Sequence, residues 1–325
     1  MKKLYYLKKR PGKINLVFLA VQLSLFILFI PFFVSPSYAQ QFGSLVTYLD
    51  SIDLDEEEGR LSHPYFVMVA PPENDIYIID NNGKITIYTS DFFPVYTVKK
   101  GPYIQSPRGM ALDAEGNIYI AQSVSKGKQA RISVFRQCLK WERDIYLEGF
   151  EGAADFSPDR LAIDKKGFIY VASRYFPGVL VLDNGGRLVD IMAPEERGEK
   201  AKLNNVTIDG EGRIYLLSET AGRVYVYDEN KKFLFKFGEK GGSSGKLSRP
   251  MAVTVDDRTS RKYIVDYMRH SVTVYDKEGN FIYEFGGNGW REGWFQYPVD
   301  ITIDSEGRIF VADLFNDRVQ VFNSW

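Results

Sequence analysis

Three short apolar segments, spaced alike and repeated six times, predict an all-β chain folded as a six-bladed propeller. The first segment opens on proline, the second reads like Ile309-Phe-Val-Ala-Asp313, and the third alternates like Val319-Gln-Val-Phe322. Turn chemistry is the second observation: Asp113–Gly116, Asp164–Gly167, Asp209–Gly212 and Asp304–Gly307 all spell Asp-x-x-Gly between the first two segments. Aspartate starts such turns through its side chain, and glycine takes the positive φ at their end. Third, β-branched and aromatic residues crowd the segments, as a half-buried pleated surface requires. No helical pattern stands out after residue 40.

In chain order, residues 1–39 come first. They carry Lys2, Lys3, Lys8, Lys9, Arg10 and Lys13, then an apolar run from about Ile14 to Val34, then Ser37-Tyr38-Ala39 at signal-peptidase spacing. Two readings stay open: a cleaved secretory signal, or an N-terminal membrane anchor, since roughly 20 apolar residues span a bilayer. Asn15, Gln22, Ser24 and Pro31 favour cleavage. Both place residues 40–325 outside the cytoplasm, periplasmic, secreted or tethered, because the basic flank stays inside.

Ser44–Asp50 has the alternation of an outermost strand. The chain ends at Trp325, after the third segment of blade six, so this early strand is expected to complete that blade and close the ring. The blades open at Pro64, Pro107, Pro158, Leu203, Pro250 and Pro298. Their second segments begin at Ile76, Ile118, Ile169, Ile214, Lys262 and Ile309, and their third at Ile85, Ile132, Val179, Val224, Val272 and Val319.

The pattern resembles the NHL repeat, Pro-x-Gly-Ile-Ala-x-Asp, Gly-x-Ile-Tyr-Val-Ala-Asp, Arg-Ile-Gln-Val-Phe. The resemblance covers nearly all of residues 44–325, is strongest in blades five and six, and is weakest in blade one, where Ala70-Pro71-Pro72 replaces the acidic turn. It implies the fold; it leaves function open, because propellers host binding, scaffolding and catalysis alike.

Composition narrows the classes. The whole chain carries −1, and subtracting the six leader cations leaves −7 for the rest. A mildly acidic exported propeller is ill suited to nucleic acid, whose affinity comes mostly from phosphate neutralisation, although some NHL proteins bind RNA on a basic face. The one cysteine, Cys138, excludes internal disulfides and reads as buried packing in blade two. Two histidines, His63 and His270, cannot assemble the three-His zinc site that the likeness to amidating lyases would require. No Gly-x-Ser-x-Gly elbow appears.

The upper rim, built by the loops between second and third strands and by the blade-to-blade connections, is the face to suspect. Alternation along the first strands aims Met68, Ala111, Ala162, Thr207, Thr254 and Thr302 into the channel. One step nearer the top lie Phe66, Gly109, Arg160, Asn205, Ala252 and Asp300, with Arg160 and Asp300 facing one another from blades three and six. Asp80, Asp266 and Asp313 end second strands in neighbouring blades and, with Asp300, suggest an acidic arc opposite Arg108, Lys126, Lys128, Arg160 and Arg174. Each of these aspartates also suits a loop cap. Related propeller hydrolases use a central calcium, for which Asp80, Asp300 and Asp313 are the candidate ligands. Exposed Trp, Tyr and Arg anchor interfaces and sugars. The sequence therefore favours a monomeric, non-enzymatic module that binds a protein or envelope component, carbohydrate included, through Arg160, Arg174, Tyr267, Arg269, Trp290 and Asp300. A calcium-dependent hydrolase or lyase is the alternative.

Overall fold

The computed structural model describes residues 45–324, apart from 126 and 138. The leader expected over 1–39, Lys126 and Cys138 thus lie outside the described residues. Among those described, no helix is long and apolar enough to cross a membrane.

Six antiparallel four-stranded sheets form the propeller. Their first strands are Phe66–Ala70, Pro107–Leu112, Arg160–Ile163, Asn205–Ile208, Pro250–Asp256 and Pro298–Ile303. Each touches the next, and the sixth touches the first, so they line a closed ring. The fourth strands are Pro94–Val98, Lys140–Tyr146, Leu188–Met192, Phe233–Phe237 and Phe281–Gly286 in blades one to five. In blade six that place is taken by Val46–Ile52, which pairs antiparallel with Arg318–Ser324 through a bulge between Tyr48 and Asp50. The expected ring closure is therefore observed: the outer edge of blade six is paired within the chain.

The core is divided among the blade interfaces. Tyr215, Val226, Ile264 and Tyr275 pack between blades four and five, while Ile78, Tyr88, Phe310 and Val321 pack between blades six and one. Each fully buried aliphatic or aromatic side chain contributes about 1.5–3 kcal/mol. No interface dominates, so stability rests on an unbroken ring.

The lower rim is fixed by its turns. Asp209 shows the device: Oδ1 accepts the Glu211 and Arg213 N–H groups at 3.0 and 2.9 Å, and Oδ2 accepts the Tyr215 hydroxyl at 2.9 Å. Asp113 and Asp164 hold Tyr119 and Tyr170 alike. Phe310 has no hydroxyl, and there Arg308 Nε takes the second oxygen of Asp304 at 2.6 Å.

In the acidic stretch from Asp50 to Glu58, Asp55 is buried and meets Lys84 Nζ at 2.6 Å. Burial opposes its ionisation, but hydrogen bonds from Lys84, Gly59 and Glu57 outweigh that and hold the carboxyl below its usual range.

Candidate functional site at the upper rim

The first strands enclose a channel of about 250 Å³. Its lining includes Met68, Ala111, Ala162, Thr207, Thr254 and Thr302, and Phe66, Arg160, Asn205 and Asp300, together with strand neighbours such as Val67, Leu161 and Ile301. Arg160 and Asp300 do more than face one another: Nε lies 3.8 Å from Oδ1. The guanidinium also spends its terminal nitrogens on the carbonyls of Arg108, Asp159 and Tyr65, at 2.9, 3.1 and 3.2 Å, and lies over the Phe66 ring. Asp300 is 4% exposed and accepts the Val67 N–H at 3.0 Å. Burial pushes its carboxyl up, against the pull of Arg160 and Val67. The pair forms a floor across the channel mouth, with both terminal nitrogens of Arg160 already bonded to backbone carbonyls.

The acidic arc is not a surface feature. Asp80, Asp266, Asp300 and Asp313 are all buried. Asp266 accepts four backbone N–H groups, from Ser248, Arg249, Met268 and Arg269. Asp313 takes the Gln296 N–H together with Asn316, Arg318 and Gln320 side chains. Asp80 takes Lys84 N–H and, more weakly, Ser62 N–H. These carboxylates tie each blade connection to the strand beneath it, which is the capping role. Blade two does the same with Gln122, whose Oε1 accepts the Gln105 N–H at 2.8 Å. In blades three and four the cap comes from the other side: Asp159 accepts Arg174 N–H, and Asn204 accepts Glu219 N–H. Asp80, Asp300 and Asp313 are thus occupied by separate sets of protein donors, and they do not fit a shared calcium ion. Among the described residues no group of three or more His, Cys, Asp or Glu side chains is placed to hold a metal.

Around the mouth runs a circuit of contacts from all six blades, in which the Arg174 backbone N–H and the backbone from His63 to Tyr65 bridge between side chains. Arg108 Nε meets Asp159 at 3.3 Å, and Asp159 caps Arg174. Arg174 and Arg249 hold opposite oxygens of Glu219, at 3.4 and 2.7 Å. Arg249 then lies over Tyr267, 4.9 Å from its centroid. Tyr267 packs on Tyr297 at 4.7 Å, Tyr297 on Phe315 at 5.4 Å, and Phe315 on His63 at 5.3 Å. Two residues on, Tyr65 lies under Arg108, which closes the circuit. Blades two to four and Arg249, on the connection into blade five, supply an arginine half; blades five, six and one supply an aromatic half.

The aromatic half is held in strained backbone. His63, His270, Tyr297 and Asp317 have φ of 50, 54, 55 and 53°, and for a residue as bulky as tyrosine this is an outlier. Hydrogen bonds enforce it: Tyr297 N–H donates to His270 Nδ1 at 3.1 Å, and His63 N–H donates to Asp317 at 2.7 Å. Burial keeps the His270 pKa below its ordinary value, so the imidazole stays neutral and Nδ1 stays an acceptor.

Of the candidate residues, Arg174 and Tyr267 join the circuit. Arg160 and Asp300 form its floor. Arg269 is turned away, bound to Glu284 at 2.6 Å and to the Gly242 carbonyl. Trp290 is 71% exposed and stands apart on the connection between blades five and six, while Trp294 covers Gly287. Sequence reasoning missed Tyr65, Glu219, Arg249 and Tyr297. A signal for three of them was present: Tyr65, Arg249 and Tyr297 directly flank the opening prolines, as do His63, Arg108 and Asp159.

The NHL repeat model matches residues 295–322. The chain is a six-bladed β-propeller whose sixth blade matches the NHL repeat. No curated protein matches the sequence. Among solved structures, a protein of unknown function from Bacteroides thetaiotaomicron superposes on this propeller with TM-score 0.63 at 14% identity, over 86% of this chain and 75% of that one. An auxiliary nutrient binding protein from the same organism gives 0.65 at 13%, over 86% and 76%. One from Bacteroides ovatus gives 0.64 at 14%, again over 86% and 76%. Identities this low bear on the fold and not on the ligand.

Proposed function

We propose that this NHL propeller is an exported, non-catalytic binding module that takes its ligand on the upper rim. The observation that carries this is the closed arginine–aromatic circuit around a plugged channel. Arginine and tyrosine are the side chains that gain most from burial at a recognition surface. Strained backbone clusters at ligand sites, where the surrounding structure holds it in place. The lower rim is made mostly of short turns, several closed on their own aspartates, with one polar cleft of about 360 Å³ between blades two and three lined by Asp113, Arg143 and Lys166. Two of the propellers that share this architecture are named as auxiliary nutrient binding proteins, which agrees with a binding role, and the leader over residues 1–39 agrees with export. The ligand is a protein or glycan of the cell envelope or its surroundings.

Affinity capture from envelope fractions tests this. The chain is compared with Tyr267→Ala/Trp290→Ala and with Arg187→Gln, a substitution of a fully solvated lower-rim side chain (87% exposed). Loss of capture only in the upper-rim variant, with unchanged melting, is the expected result; equal capture by all three removes the site.

A further inference from the structure

The two halves of the circuit differ in chemistry, and together they define a ligand class. Arg108, Arg174 and Arg249 each present Nε to a carboxylate of the protein. Among the described residues, the terminal nitrogens of Arg108 and Arg249 have no hydrogen-bond partner, and Arg174 offers its own only to the Met251 sulfur at 3.9 Å. Their side chains are 46, 35 and 40% exposed. These forks are therefore pre-oriented by one edge and open at the other, which suits bidentate capture of a planar anion. The cluster carries a positive surplus. Three guanidinium groups face Asp159 and Glu219, and the Lys240 ammonium, held on the Glu219 and Ser248 carbonyls at 2.8 and 2.7 Å, adds to them, while Arg160 and Asp300 cancel. That surplus suits an anion, and the planar forks suit a carboxylate.

Beside the forks runs the row Tyr267, Tyr297 and Phe315: Arg249 and Tyr297 pack on Tyr267, Tyr267 and His270 pack on Tyr297, and Phe315, 46% exposed, brings the row to solvent. Aromatic faces bind the apolar C–H face of a pyranose while their polar edges stay wet. A ligand that meets both halves at once carries an anion fixed to a compact ring. An acidic peptide separates its carboxylates from its apolar groups by rotatable bonds and loses more freedom on binding. We infer that the upper rim binds carboxylate-bearing sugars, that is, glycans containing uronic acid. This rests on the upper rim being the binding face.

The probe is trigalacturonate, titrated calorimetrically into the full chain in mild detergent. Its methyl ester and a penta-glutamate peptide are titrated in parallel. Expected are saturable binding of the acid, a loss of at least about tenfold in affinity for the ester, and no competition by the peptide. Arg174→Gln/Arg249→Gln removes the preference for acid over ester, whereas Tyr267→Ala weakens both and Tyr267→Phe restores both. Each variant is checked for unchanged melting, and Arg187→Gln binds like the parent. Equal binding of acid and ester, with sensitivity to Tyr267→Ala, overturns the uronate inference but keeps the rim as a binding face. Tighter binding of the peptide overturns it in favour of an acidic protein partner. No binding of any probe overturns it too, and the capture experiment then decides the wider reading separately.

Discussion

Lys262 lies in the second strand of blade five, Arg261–Asp266, at the position where every other blade carries isoleucine. It is 1% exposed, its ammonium donates to the Asp276 carbonyl at 2.9 Å, and Phe235 and Phe237 lie around it. Burial first, then the charge of Arg213, push its pKa down to about 8. A folded-state pKa below the unfolded value of 10.5 means that the unfolded chain binds the extra proton between those limits, so stability rises with pH across that window. The buried tyrosines act oppositely: burial pushes Tyr65 up to about 12, so the clean window closes near 10. Lys262→Met is therefore expected to raise stability at pH 7 by about 2 kcal/mol. In urea titrations the variant's advantage shrinks as pH rises from 8 to 10. An advantage that does not change with pH removes the titration argument. At the same scale, Asp266→Ala removes the acceptor of four partly buried backbone N–H groups and is expected to cost about 2 kcal/mol, while Ser173→Ala, at the equivalent strand end of blade three, is expected to cost less than about 1 kcal/mol. Chemical denaturation of the two variants checks the contrast.

At the scale of elements, three strands of every blade were legible because they are buried on both faces and read as apolar runs with fixed turn residues. The fourth strands of blades one to five were not. Leu188–Met192 buries only Met192 fully, and Phe233–Phe237 only Phe237, so the alternation that marks a half-buried strand is diluted. The closing strand could be located because the repeat arithmetic left blade six one strand short. The rim was half legible. Arg174 and Tyr267 stood out as residue types in loops, but Arg249 and Tyr297 matter through contacts between blades that no single repeat contains. The aspartates suggested an electrostatic arc because sequence shows charge and hides hydrogen bonds. Closure makes its own prediction. Because Val46–Ile52 is the only described partner for the outer edge of Arg318–Ser324, deleting residues 40–52 opens the ring and exposes a strand edge. Calorimetry is expected to show loss of the cooperative unfolding transition, not a trimmed propeller with unchanged melting.

On the scale of the whole molecule, the Arg160–Asp300 pair joins blades three and six directly across the channel, whereas every hydrophobic cluster joins only neighbours. Desolvation is the cost of such a pair, and the raised carboxyl of Asp300 shows that Arg160 does not fully offset it. Removing one partner strands the other. Arg160→Met leaves a buried carboxylate and three carbonyls without their donor, and is expected to cost about 3 kcal/mol. Asp300→Leu leaves the guanidinium its carbonyl partners and costs less. The double variant Arg160→Met/Asp300→Leu removes both charges but still leaves the three carbonyls and the Val67 N–H without these partners, so its loss is expected to stay well below the sum of the two single losses without vanishing. Denaturation of all four proteins gives the coupling between blades that share no interface. If the pair serves as a floor and not as a ligand contact, the double variant also keeps upper-rim binding. A double variant that is stable but no longer binds would place Arg160 back among the residues that grip the ligand, and strict additivity of the two single losses would mean that the channel pair carries no coupling across the ring.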